Sequence, residues 1–126
     1  MTEPKGELAI RTLAMPADAN PNGDIFGGWL MSQMDIAGGI TANARAHGRV
    51  ATIAVTGFTF HKAVLVGDVL CCYADIQKIG TTSITIGIEA WVLRQRQSND
   101  RIKVTEGVFT FVALDETGKK RPVPPE

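Results

Sequence analysis

Residues 22–39 read NGDIFGGWLMSQMDIAGG, and the reading of this stretch decides the fold. A turn-forming start runs into an apolar segment in which one carboxylate, Asp35, stands between Met34 and Ile36. Leu30, Met34, Ala37 and Thr41 follow helical i, i+4, i+7 spacing, and Met31, Ile36 and Ile40 widen the apolar stripe beyond one face. The spacing predicts a helix over about residues 25–47, closed at His47-Gly48, where glycine is favoured just past a helix end. Gly38-Gly39 inside it costs about 1 kcal/mol per glycine relative to alanine, so the pair predicts a close backbone approach by the sheet or by a partner helix. An isolated buried carboxylate costs several kcal/mol unless it is paired or protonated. Asp35 therefore needs a reason.

Outward from this helix the chain is strand after strand. ELAIRTLAM (7–15) is apolar and partly alternating until Pro16 stops it. PADANPNGD (16–24) is turn chemistry throughout, and its length for a plain connection points to function. On the other side lie RVATIAVTGFTF (49–60), then VGDV (66–69) as a turn into VLCCYADIQKI, then SITIGIEAWV after Gly80. In that last run Ile84, Ile86, Ile88, Ala90 and Val92 share one face. RQRQSNDR (94–101) reads as a polar connection to KVTEGVFTFVAL (103–114), ended by the turn DETG. One long helix among about five strands joined by hairpin-like turns is an α+β pattern. The sheet is antiparallel, because no crossover helices exist to build a parallel one, and only this helix can cover its apolar face.

At 126 residues and 13.5 kDa the chain makes one domain, residues 1–126. Thirteen basic residues balance thirteen acidic ones, so no net field draws it to nucleic acid or to an anionic membrane. No stretch approaches the roughly 20 apolar residues of a membrane span, and MTEPKGELAI lacks a signal peptide's apolar region. Cys71 and Cys72 are adjacent on a strand and point to opposite faces; they read as reduced, buried thiols of a cytoplasmic protein. No spaced cluster of metal ligands appears.

The chemistry concentrates at the helix start. Gly27 and Gly28 bare backbone N–H groups that favour negative charge. Asp35 lies seven residues beyond Gly28, about 10 Å along the axis at ~1.5 Å per residue, with its side chain leaning back toward the N-terminus. A carbonyl lodged at Gly28 would have its developing oxyanion stabilised while Asp35 serves a water or attacks directly. Those are the parts of an acyl-transfer or hydrolysis site. His47 and His61 have no nucleophile partner in a recognisable motif, and His61 reads as a structural residue at a strand end. Asn22 and Asp24 read as caps of the helix start.

ADANPNGDIFGGWLMSQMD, with AHGRVATIAV, VGDV, KIGTTS and the ending VALDETGKKRPVP, closely resembles the hotdog-fold acyl-CoA thioesterases, specifically the small bacterial YciA-like group. The resemblance covers nearly the whole chain, and N-x-x-G-x-x-F-G-G followed by M-D is its specific signature. It implies a curved antiparallel sheet wrapped around the central helix and hydrolysis of acyl-CoA to a free acid and CoA. CoA is part of the substrate, and no metal or other cofactor is implied. The family's acid maps to Asp35, as general base or nucleophile, and its asparagine to Asn20. The amides of Gly27 and Gly28 take the oxyanion role. The resemblance further implies a site between two subunits, Asn20 and Asp35 coming from different chains, in a homo-oligomer built as a trimer of dimers. CoA phosphates are expected near Lys62 and near Lys78 with the Gly80, Thr81, Thr82, Ser83 turn. Relatives often carry a proline before V-x-V-G-D where this chain has Ala63, a change beside Lys62 and away from Asp35. A non-catalytic acyl-CoA-binding module on the same scaffold is the alternative, separated from a hydrolase by release of free thiol.

Overall fold

The computed structural model describes residues 3–94 and 101–126. The chain runs β1 (Glu7–Leu13), α1 (Gly27–Ala46), β2 (Val50–Phe60), β3 (Val69–Ile79), β4 (Ser83–Leu93) and β5 (Arg101–Ala113), with a single 3-10 turn at Pro16–Asp18. All pairings are antiparallel, in the order β1-β3-β4-β5-β2. The polar connection expected at 94–101 falls almost wholly on residues 95–100, outside the described residues.

The alternation in β4 does what it predicts. Ile84, Ile86, Ile88, Ala90 and Val92 are all buried, and Ile84 and Ile86 stand opposite Phe111 and Phe109 of β5. Leu30, Met34, Ala37 and Gly38 of α1 belong to the buried set. A Cβ on Gly38 would lie 2.6 Å from Ile88 Cδ1 and 2.7 Å from Phe111 Cζ. A larger residue there would displace Ile88 or Phe111, and the close approach expected of the glycine pair is met by the sheet. Gly39 is different: a Cβ on it would meet nothing within 4 Å.

The helix is shorter than its apolar spacing suggests, because Ile25 and Phe26 are engaged elsewhere. Ile25 bridges Ala19 and donates its N–H to Val64 O at 3.0 Å; Phe26 takes the N-cap position with no side-chain cap. Asn22 and Asp24 thus do not cap α1, a correction to the sequence expectation. At the far end the left-handed residue is His47, φ 57°, rather than a glycine. The buried stripe is also narrower than predicted: Ile36 and Ile40 are about half exposed, at 50% and 51%.

Topology then creates a second feature. β2 is an edge strand and β3 lies on the far side of β4, so residues 61–68 must cross the sheet end beneath the start of α1. The crossing is pinned at both ends. His61 and Lys62 donate their N–H groups to Val104 O, and the buried Asp68 carboxylate accepts from Leu65 N at 2.9 Å and from Arg94 Nε at 3.3 Å. Cys71 and Cys72 are buried and unbridged; burial, then the neighbouring Cys71, pushes the Cys72 thiol up to about 12, which makes it inert. Among the described residues no helix is long and apolar enough to cross a membrane.

Candidate functional site

Asn20 organises the loop that leads into α1. Its Oδ1 accepts the N–H groups of Asn22 at 3.0 Å and Asp24 at 3.1 Å, its own N–H donates to Asp24 O at 2.6 Å, and Gly23 N donates to Asn20 O at 3.0 Å. Gly23 supplies the positive φ, 88°, that this turn needs. The asparagine is thereby locked, with its carbonyl oxygen turned inward on the loop.

The loop, the crossing segment and the start of α1 enclose a groove of about 440 Å³ lined by Asn20, Asp24, Gly27, Phe60, His61 and Lys62, among others. Two glycines open the helix beside it. A Cβ on Gly27 would come within 3.1 Å of the Phe60 ring, whereas one on Gly28 would meet nothing within 4 Å. With no side-chain cap on α1, the first-turn amides are left to a ligand carrying negative charge.

Asp35 is not a lone carboxylate in a sealed core. It is half-buried on the flank of α1 that faces β2, and Thr52 Oγ1 of β2 donates a 2.5 Å hydrogen bond to its Oδ1. Thr52 is the partner of Asp35 that sequence reasoning missed. Its one signal is a hydroxyl in a largely apolar strand that carries three, and choosing it over Thr56 or Thr59 requires the register that places it opposite Phe111.

The chain brings some of the expected residues together and separates others. Asn20, Gly27 and Lys62 share the groove; Asp35 is not among its lining residues. Lys62 follows Phe60 at one end of β2, whereas the Gly80–Ser83 turn sits at the other, where Thr82 O accepts the N–H of Ala113 and Ala113 pairs with Val50. An eleven-residue strand, about 35 Å at ~3.3 Å per residue, separates the two sets of expected CoA contacts.

His61 is engaged at the groove rim. Its Nε2 is 2.6 Å from Glu106 Oε2, and Lys103 Nζ donates to Glu106 Oε1 at 3.0 Å while lying 3.5 Å from Glu89 Oε2. The hydrogen bond from His61, then that from Lys103, holds the Glu106 carboxyl below its ordinary range. Among the described residues no group of three or more His, Cys, Asp or Glu side chains is placed to hold a metal. What the arrangement offers is a carboxylate fixed by a hydroxyl donor and, separately, a groove with a polar amide side chain and free helix-start N–H groups. This is equipment for activating water and for stabilising an oxyanion.

The Thioesterase superfamily model matches residues 22–98, which holds the helix start, Asp35, Thr52 and the crossing segment. The acyl-CoA thioester hydrolase YciA of Salmonella typhimurium is 60% identical over 123 residues, 96% of this chain and 92% of that protein. Its Escherichia coli counterpart is 57% identical over 125 residues, 98% of this chain and 95% of that one. Among solved structures, the hexameric thioesterase of Yersinia pestis superposes with a TM-score of 0.94 at 60% identity, covering 98% of this chain and 100% of that one. Fold, helix-start geometry and likeness agree: the chain belongs to the hotdog-fold thioesterase superfamily, in its YciA-like group of acyl-CoA thioester hydrolases.

Proposed function

We propose that this chain hydrolyses acyl-CoA thioesters at a site completed by two subunits, with Asp35 as the general base. The carrying observation is the Thr52–Asp35 hydrogen bond. It occupies Oδ1 and leaves Oδ2 to take the proton of an attacking water. The water oxygen bonds to the thioester carbon, and the oxyanion that forms is met by the N–H groups of Gly27 and Gly28. Collapse breaks the C–S bond, and the CoA thiolate takes back the proton held on Asp35 Oδ2, so that CoA leaves as its thiol and the carboxylate is regenerated. Asn20 orients the carbonyl or the water. The chemistry needs nothing beyond the side chains, water and the CoA carried by the substrate.

Two features support a subunit-boundary site. β2 is a long edge strand with Ile53 and Val55 exposed at 54% and 37%, and unpaired edges invite pairing. Antiparallel pairing of two β2 edges about a two-fold axis sets the helix-start pole of one chain beside the helix-end pole of the other. The groove holding Asn20, Gly27 and Lys62 then faces the partner's Asp35 and the partner's Gly80–Ser83 turn, so the separated sets come together across the seam. The Yersinia pestis neighbour is hexameric, and for this chain we infer a trimer of such dimers.

Replacing Asp35 by Asn keeps the size and removes the base. Free-thiol release from acyl-CoA is expected to fall by about two to four decades, the usual worth of a positioned base, with an unchanged melting temperature. Undiminished turnover would remove Asp35 from the mechanism, and tight binding of acyl-CoA with no thiol released by the wild type would establish a binding module instead.

A further inference from the structure

The closing motif GKKRPVP (118–124) folds back onto the helix-end pole. Arg121 N donates to Ala113 O at 3.0 Å, its Nε to Leu114 O at 2.9 Å and its Nη2 to Ala46 O, the last carbonyl of α1, at 2.8 Å. Arg45 Nη1 donates to Pro124 O at 2.6 Å, and its buried Nε faces the Glu126 carboxylate at 3.7 Å. Between these anchors Val123 packs its side chain on the core and donates its N–H to Thr81 O at 2.8 Å. Arg45, itself half-buried, thus helps hold this segment against the β3–β4 turn.

That contact orients the turn. Thr81 O is held by the Val123 amide, and Thr82 O is held by the Ala113 amide at 2.9 Å. In a trans peptide the N–H points opposite the C=O of the same plane. The Thr82 N–H, which shares its plane with Thr81 O, is therefore turned away from Val123, and among the described residues it has no acceptor. Outward backbone N–H groups with hydroxyls beside them are a binding chemistry for phosphate.

We propose that residues 121–126 form a clamp that aims the Thr82 amide and the hydroxyls of Thr81 and Ser83 at a phosphate of the substrate's CoA, with Arg45 and Val123 as positioning residues. The proposal rests on the reading that this turn contacts CoA. Without the clamp the Thr81–Thr82 peptide is free to rotate, which weakens nucleotide recognition and leaves the thioester end untouched.

The test uses the full oligomeric enzyme in two forms, one lacking residues 122–126 and one carrying Arg45→Met. Each is assayed on an acyl-CoA and on the N-acetylcysteamine thioester of the same acid, which lacks the nucleotide. The expected result is a KM for acyl-CoA raised about tenfold, the worth of roughly one hydrogen bond to a charged group, with kcat and N-acetylcysteamine thioester turnover unchanged. A wild-type KM in both forms overturns the clamp, and so does a parallel loss on both substrates, which marks mere support of the fold. The double variant Lys78→Ala/Ser83→Ala separates the clamp from the reading beneath it. A wild-type KM there shows that the turn is no CoA contact and overturns both. A raised KM there, with the clamp variants normal, overturns the clamp alone.

Discussion

Thr52 of β2 and Asp35 of α1 are joined by a 2.5 Å side-chain hydrogen bond, and the pair explains how a carboxylate is tolerated on an apolar helix. The hydroxyl donor satisfies one carboxylate oxygen and fixes the plane of the group, so one oxygen is held and the other is left for a second partner. Thr52→Val keeps the branched shape and deletes the donor. Losing one hydrogen bond to a charged group costs about 1.5–3 kcal/mol, or one to two decades. The expected outcome is a kcat lowered by that factor at unchanged KM, with Thr52→Ser restoring most of it in steady-state assays. A loss seen in the melting temperature and not in kcat would make Thr52 a structural residue only.

At the scale of elements, the difference between what was legible and what was not follows sequence distance. The alternation of β4 and the i, i+4 spacing of α1 are local signals, and both are realised in the buried set. Gly28 and Asp35 were legible for the same reason, lying on one helix. The true start of α1 was not, because Ile25 is drawn off by Val64, a pairing that no window around residue 25 contains. Nor were Thr52, chosen by register, or the separation of the expected CoA contacts to the two ends of β2, one set at the 61–68 crossing and the other at the Gly80–Ser83 turn. The crossing itself hangs on a pair separated by 26 residues, the buried Asp68 and Arg94, whose NH2 also donates to Ala63 O at 2.7 Å. Arg94→Met leaves that carboxylate buried without its cation, a loss of about 3–5 kcal/mol readable as a lowered urea midpoint. Adding Asp68→Asn is expected to recover a large part of it, since the uncompensated charge is then gone.

For the whole molecule the open question of the helix is its β2-facing flank. Gly28, Asp35 and Gly39 follow one another at seven and four residues and so share that flank. Neither glycine has a neighbour within 4 Å of a built Cβ, although Gly38 next door is filled by the sheet. A carboxylate between two vacant glycine positions, above an exposed edge strand, is a surface shaped for close approach by something outside the chain, and a second copy related by a two-fold axis meets it symmetrically. This arrangement makes a prediction that a single-chain site cannot. If each site takes Asn20 from one subunit and Asp35 from the other, Asn20→Ala and Asp35→Asn homodimers are each inactive. A heterodimer of the two carries one doubly altered site and one intact site. Random reassortment makes half of the dimers mixed, so about a quarter of wild-type activity is expected to return when the two variants are unfolded together and refolded, given closed two-fold pairing. The measurement is thiol release before and after refolding, with each variant refolded alone as the control. If the mixture stays as inactive as its parents while mixed dimers are demonstrated by mass, both residues act within one chain and the two-subunit site is wrong.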